Sequence, residues 1–600
     1  MKYPTLYTTD SSRQMVDIFK GYNHNLRIND GEFFDMKNMT SDHYPVLSPR
    51  GRRGVYAQQG RFTGLIAKDS LCYVDGAEFV MNEYRVDLGL NDEPKQLISM
   101  GAYVIIMPDK KWINTLDLTE HGSIEAAFPG VDGQMVSASY EMCKVDGTTY
   151  TNVIKQSTAP EDPENMQLWI DTSSTPHVLK QYAATSAVWN QIATTYVKIS
   201  APGIAANFSQ YDAVKITGLP EQLIQLEDLE GQTSPLWEVY RDPGDTSEEN
   251  PRAEGTYDYI VVVGILDEAA SYESQLRLER TMPIMDFIVE SENRLWGCRY
   301  GEAANGEVVN EIYASKLGDF KNWNCFMGLT TDSYAASCGT DGQFTGAITH
   351  LGYPLFFKEN CVHKVYGNYP ANFQIQTTAC RGVQRGCEKS LAIVNETLFY
   401  KARSGVCAYD GSLPVEMSAA LGDMHYGRAV AGSHGNKYYI SMQEAVSPEY
   451  SVFVYDTAKG MWHKEDKLHA ECFCSCDSEL YAIADGKIIT MLGSGTQEEI
   501  FVEWMAQTGE IGITTPDMKY ISRLTVRMTL DIGSVARFYA QYDFMGDWEE
   551  VCVLEGTSLR SFSIPIRPRR CDHMKLRIEG VGNAKIYSIT KTIEQGSELS

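Results

Sequence analysis

The sequence predicts an all-β fold: a β-propeller of six to eight blades, seven favoured, with an inserted β domain and a C-terminal β-sandwich. Three observations predict it. Runs of alternating or continuous β-branched and aromatic residues dominate, and almost nothing reads as helix. Asp-Gly dipeptides fall at 30–31, 75–76, 132–133, 146–147, 341–342, 410–411 and 485–486. Asp-Gly tolerates the positive φ values of tight hairpins, so seven of them argue for many hairpins. The 35 Tyr suit half-buried strands, where the ring covers a pleated surface and the hydroxyl reaches water.

The blades rest on a degenerate repeat whose unit is a short apolar strand, a turn, a second aromatic strand and a third strand ending in Asp or Gly. The copies are Leu65–Gly76, Ile98–Asp117, Phe287 through the strand 311–315, Ala347–Gly367, Leu391–Gly411, a unit from Val430 to 462, and Glu471–Met491. The later copies start at 347, 391, 430 and 471, which are 44, 39 and 41 residues apart. That period, with three or four strands per copy, is what a propeller blade needs. One four-stranded sheet leaves both faces bare; stacking blades around an axis covers them, and closing the ring removes most free edges. The competing arrangement is a β-sandwich with loose meanders.

Four segments follow: 1–117, the N-terminal segment and first blades; 118–280, an inserted acidic β-rich domain; 281–495, the remaining blades; and 496–600, the sandwich. The insertion has its own strand-like runs at 189–200, 211–218 and 257–266, and residues 221–258 carry eleven acidic side chains against Arg241 and Arg252. Inserting a domain into a blade loop costs little, because loop-closure entropy grows slowly with length. The C-terminal strands are expected at 521–530, 534–542, 561–566 and 573–579, where polar and apolar residues alternate.

The net charge of −27 disfavours duplex nucleic acid and anionic membranes as binding partners, since both demand basic patches. The 14 Cys lack repeated CxxC pairs and sit in apolar runs, as reduced, buried thiols of a chain made in cytosol do. The opening MKYPTLYTTDSSRQ has no apolar stretch of signal-peptide type, and the longest apolar run, Tyr259–Leu266, is too short to span a bilayer. A soluble chain is expected.

Candidate chemistry is sparse. Cys472, Cys474 and Cys476 share one face of a strand near His463 and His469, but ligands two apart on a straight strand sit roughly 6.5–7 Å apart and no second pair completes a tetrahedron. Core packing is the preferred reading. Ser315, Asp319 and Trp323 loosely mimic a sialidase Asp-box, with the wrong spacing and a single copy, so a blade turn is preferred. No phosphate-loop, dinucleotide, zinc-protease, serine-hydrolase or calcium-loop pattern occurs. No catalytic, cofactor or metal residues are expected.

Three stretches carry a family resemblance: FKGYNHNLRINDGEFFDMKNMTSDHYPVLSPRGRRG (19–54), ESENRLWGCRYGE with NEIYASKLGDFKNW (290–323), and LFYKARSGVCAYDG (398–411). In their order they resemble the β-propeller tail hub or nozzle proteins of short-tailed bacteriophages, of the packaged-DNA stabilisation type. The resemblance implies a non-enzymatic virion protein, assembled in the host cytoplasm into a ring of identical subunits, six favoured. It implies contacts with other tail, adaptor or fibre proteins, and passage of genomic DNA without sequence-specific binding. Within such a ring the clusters Arg50, Arg52, Arg53 and Arg567, Arg569, Arg570 are candidates to meet acidic residues such as Glu248 and Glu249 of a neighbouring copy through forked guanidinium–carboxylate pairs. The alternatives are a receptor- or carbohydrate-binding propeller, with Trp237 and Trp323 as glycan platforms, and a propeller glycosidase.

Overall fold

Strand pairing, rather than any helix, organises this chain. The computed structural model describes residues 11–242, 258–303, 306–497, 499–514, 518–543 and 545–595. Its regular structure is β apart from four short 3-10 turns, and all seven Asp-Gly glycines take positive φ, from 60° at Gly76 to 110° at Gly411. The fold is all-β and propeller-like in its units. Six four-stranded antiparallel meanders, at 62–87, 96–123, 287–337, 346–379, 392–416 and 426–464, and a three-stranded one at 472–490 stand where the seven sequence copies lie.

The last meander is completed from the other end of the chain. Lys487–Thr490 pairs antiparallel with Gly54–Gln58, which takes the fourth-strand position and pairs on its far side with Thr496 and Gln497. This exchange covers an edge that would otherwise lie open. The packing follows: Phe62, Leu71 and Val80 of the first meander share a core with Cys476, Ile483 and Ile488 of the last.

Residue contacts divide the chain into two compact units, 1–97 with 343–364 and 376–600, and 98–342 with 365–375. These boundaries do not coincide with the four segments read in the sequence.

In the first unit the N-terminal segment does not join the first meanders as expected. Ser11–Val16 pairs with Ala584–Gln595, from Ser11 opposite Glu594 to Val16 opposite Ile589, and Glu32–Lys37 pairs with Glu503–Thr508. Phe19, Phe33 and Met36 are buried in the same core as Leu524, Phe538 and Ile578. The apolar residues of 19–36 thus complete the C-terminal layers.

The strands expected at 521–530 and 534–542 form one 24-residue strand, Lys519–Tyr542. It hairpins onto Met545–Ile564, and its pairing shifts between Leu530 and Val535, beside Gly533 at φ +84°. Before the shift it pairs with Ala584–Gln595, and after it with Met574–Val581. One bent strand therefore serves both layers, as bulged strands do at sandwich corners. Trp504 closes the core over Gly580, where a Cβ would lie 2.1 Å from the indole, and its Nε1 donates to the Gly582 carbonyl at 2.9 Å.

In the second unit, residues 126–280 form three sheets. Tyr140, Val197, Ile216, Ile260 and Leu278 are wholly buried between two of them. The run 189–200 is split: Val188–Gln191 and Tyr196–Ser200 belong to different sheets.

Candidate functional site

Two of the six arginines expected to reach a neighbouring copy are turned inward. Arg50 and Arg53 expose only 5% and 6% of their side chains. Arg50 grips Glu499 with both Nη atoms at 2.8 Å, and its Nε donates to Asn38 Oδ1 at 2.9 Å. Arg53 donates from Nη2 to Glu465 Oε2 at 2.6 Å and from Nη1 to Asp466 Oδ2 at 2.7 Å. Burial pushes the Asp466 carboxyl up, but Arg53 and Arg50 outweigh it and hold the group below its ordinary value. These two arginines tie 50–53, 465–466 and 499 together within one subunit, so their candidacy as intersubunit contacts is withdrawn. The sequence places them in a glycine-flanked polar stretch that reads as surface; only the fold brings the three acids around them.

The second cluster stays outside. Arg569 makes a forked pair with Glu549 at 2.7 and 2.8 Å, both partners about half exposed. Solvent screens such an exposed pair, which adds little to stability. Arg52, Arg567 and Arg570 are exposed and carry no ion pair among the described residues. Glu248 and Glu249 lie outside the described residues.

The stretch SKLGDFKNW is a latch. Asn322, wholly buried, donates from Nδ2 to Asp212 Oδ1 at 2.9 Å and Asp319 Oδ2 at 2.6 Å, and accepts the Ala213 N–H at 2.9 Å. Asp212 is also ion-paired with the buried Arg280. Strand Ala213–Thr217 of the inserted segment is thereby fixed to the turn after Val308–Ala314. Asp319 serves this network, and Trp323 is 2% exposed in the core, which removes it as a glycan platform. Trp237 is half-buried with its ring against Tyr196 and Tyr211. Replacing Asn322 with alanine leaves Asp212, Asp319 and the Ala213 N–H each short of a partner. The expected loss is about 1–3 kcal/mol, read as a lower urea midpoint and faster proteolysis of the 126–280 segment.

Cys472, Cys474 and Cys476 pack beside Phe62, Leu65 and Ile483. Burial pushes the Cys474 thiol above its usual range. His463 is buried and held down to about 3 by desolvation, whereas His469 stacks on Tyr450. No disulfide joins any of the fourteen cysteines. Among the described residues no group of three or more His, Cys, Asp or Glu is placed to hold a metal, and no helix is long and apolar enough to cross a membrane.

A cleft of about 540 Å³ in the first unit runs along the meanders at 62–87, 426–464 and 472–490. Its wall holds the Tyr450–His469 stack, with ring centroids 3.9 Å apart and planes 25° from parallel. Lys389, donating to the Glu471 carbonyl at 3.1 Å, sits beside Glu388 and Arg428. Asp92 is paired with Arg61 at 2.6 Å. A flat ring surface edged by both signs of charge suits a polar, uncharged ligand. None of these residues shares a motif, so the sequence offered no signal for the cleft.

No family model and no curated protein matches the chain. Among solved structures it is similar to an exo-β-1,3-galactanase from Phanerochaete chrysosporium bound to galactose, at 10% identity over 51% of this chain and 94% of that one, with a TM-score of 0.21. Two variants of that enzyme with β-1,3-galactotriose match at 9% identity and TM-scores of 0.20 and 0.19. At such scores the likeness carries no argument, and the fold rests on the strand pairing itself.

Proposed function

We propose that this chain is a non-enzymatic structural protein of a bacteriophage tail, a hub or nozzle component whose copies assemble into a ring on the DNA conduit. One observation carries the reading. The block that bears the resemblance, 19–54, is built into the first unit as structure: it supplies Glu32–Lys37 to the sandwich, ends at the first residue of the strand that completes the last meander, and its arginines lock three acids. That is the use a load-carrying subunit has for such a segment. The charge of −27 suits a wall that DNA passes without adhering, since retention needs cationic patches. Other tail, adaptor or fibre proteins are the expected neighbours, and the virion is the expected location.

Mass photometry of the purified chain is expected to show a closed oligomer; six copies of 67.2 kDa give about 400 kDa, and cyclic closure is the common solution for identical subunits. Cryo-EM of the virion is expected to place that ring in the tail. A monomer that is absent from virions overturns the proposal.

The second reading is glycan binding, favoured by the Tyr450–His469 stack in the cleft. Binding of bacterial surface saccharides that disappears in His469→Ala supports it, and hydrolysis of those saccharides would instead revive the glycosidase.

A further inference from the structure

Strand Thr397–Ala402 reads Thr-Leu-Phe-Tyr-Lys-Ala and buries its lysine: Lys401 is 3% exposed. Its Nζ donates to Gln384 Oε1 at 2.8 Å and to the Ala402 carbonyl at 2.6 Å. Both acceptors are neutral. An ammonium has three N–H groups, so one is left without an acceptor among the described residues, and no carboxylate there comes within ion-pair reach. A buried charge without a counterion is strongly disfavoured. Burial holds the Lys401 ammonium below the usual lysine range. The carboxylate whose field opposes this, Glu416, is already held by Arg381 at 2.7 Å and takes a 3.4 Å bond from Ser418 Oγ.

Lys401 also lines a cavity of about 200 Å³, together with Arg403, Ser404, Ser418 and His425 and two acidic residues, Asp423 and the Arg381-paired Glu416. At roughly 30 Å³ per water, that space holds about six waters, or one small oxyanion with part of its hydration. Arg403 is exposed and makes no ion pair among the described residues, so the cavity has a second cation free to meet a ligand. Other buried lysines of this chain are satisfied differently: Lys519 has Asp572 Oδ1 at 3.7 Å, and Lys358 lies over the Phe344 ring at 4.5 Å.

The geometry points to a small-oxyanion site in this cavity, where a phosphate or carboxylate group is bound by the Lys401 ammonium with Arg403 as the second cation. The site is independent of the tail assignment, and either stands if the other fails. Forked or paired cations of this kind are what oxyanions select.

The test is calorimetry and thermal unfolding of the full chain against sodium phosphate and, separately, sodium acetate, with ionic strength held by sodium chloride. Saturable binding in either arm is expected, and the responding arm tells phosphate from carboxylate. Lys401→Met, which keeps the length and removes the charge, is expected to weaken binding at least 10-fold, and the loss of its bonds to Gln384 and Ala402 lowers the unliganded midpoint as well. Arg403→Gln, at an exposed position, is expected to weaken it several-fold and serves if the first variant misfolds. No saturable response in either arm, or affinity unchanged in the folded variants, overturns the site.

Discussion

Replacing Arg53 with alanine is expected to lower the stability of the first unit by about 3–5 kcal/mol, the usual result of removing one partner from a buried ion pair. Glu465, only 7% exposed, loses its 2.6 Å partner, and Asp466 loses one of its two arginines. The urea midpoint of the full chain measures it. Arg53→Lys is expected to fall between, because a single ammonium reaches one acid where the fork reaches two. A shift of under 1 kcal/mol for Arg53→Ala would return these arginines to the surface role the sequence suggests. The same network sets an acid limit. For Glu499, burial raises the carboxyl, but the Arg50 bond and the Arg53 N–H outweigh that and lower it; Asp466 is lowered likewise. Carboxylates depressed in the fold contribute stability that is full above their ordinary values, about 4, and is lost as pH falls through the folded ones. Unfolding midpoints are therefore expected to hold from pH 7 to about 5, and to drop below pH 4 more in the wild type than in Arg53→Ala.

What the sequence made legible was local. The Asp-Gly pairs marked hairpins because their chemistry is contained in two residues, and every one of those glycines has the positive φ that the pair was read for. The period near 40 residues located the meanders because each is a contiguous unit with its own strand alternation. What stayed hidden was long-range. Nothing in GVYAQ states that it pairs with Lys487–Thr490, more than 400 positions away, and nothing in the run 521–542 distinguishes two strands from one that bends at Gly533. Arg50 and Arg53 were misplaced for the same reason: their acids come from 465–466 and 499, so sequence counts of charge pointed outward while the fold points them inward. Lys401 is the intermediate case. A lysine inside Leu-Phe-Tyr-Lys-Ala is a visible break in an apolar run, yet only the placement of Gln384 and the cavity gives it meaning.

Replacing Gly54 with valine is expected to undo the closure of the last meander, with a loss of roughly 3–5 kcal/mol built from overpacking and from forfeited cross-strand pairs. A Cβ at Gly54 would stand 2.3 Å from the Ser494 carbonyl oxygen, 2.5 Å from Thr490 Oγ1 and 3.3 Å from the Thr496 carbonyl. Two of those are backbone atoms, and Gly54 faces partners on both sides, Thr490 on one and Gln497 on the other. The strand has no direction in which to yield, so relief requires withdrawing Gly54–Gln58. That bares the edge of Lys487–Thr490 and opens Ile488, now wholly buried, to water. Hydrogen exchange at 487–490 is expected to accelerate by at least 100-fold, while Gln58→Ala, at the far end of the same strand, leaves it nearly unchanged. Equal protection in Gly54→Val and wild type would mean that the chain's two ends are not held together by this strand, and the N-terminal block would lose the structural role on which the tail assignment leans.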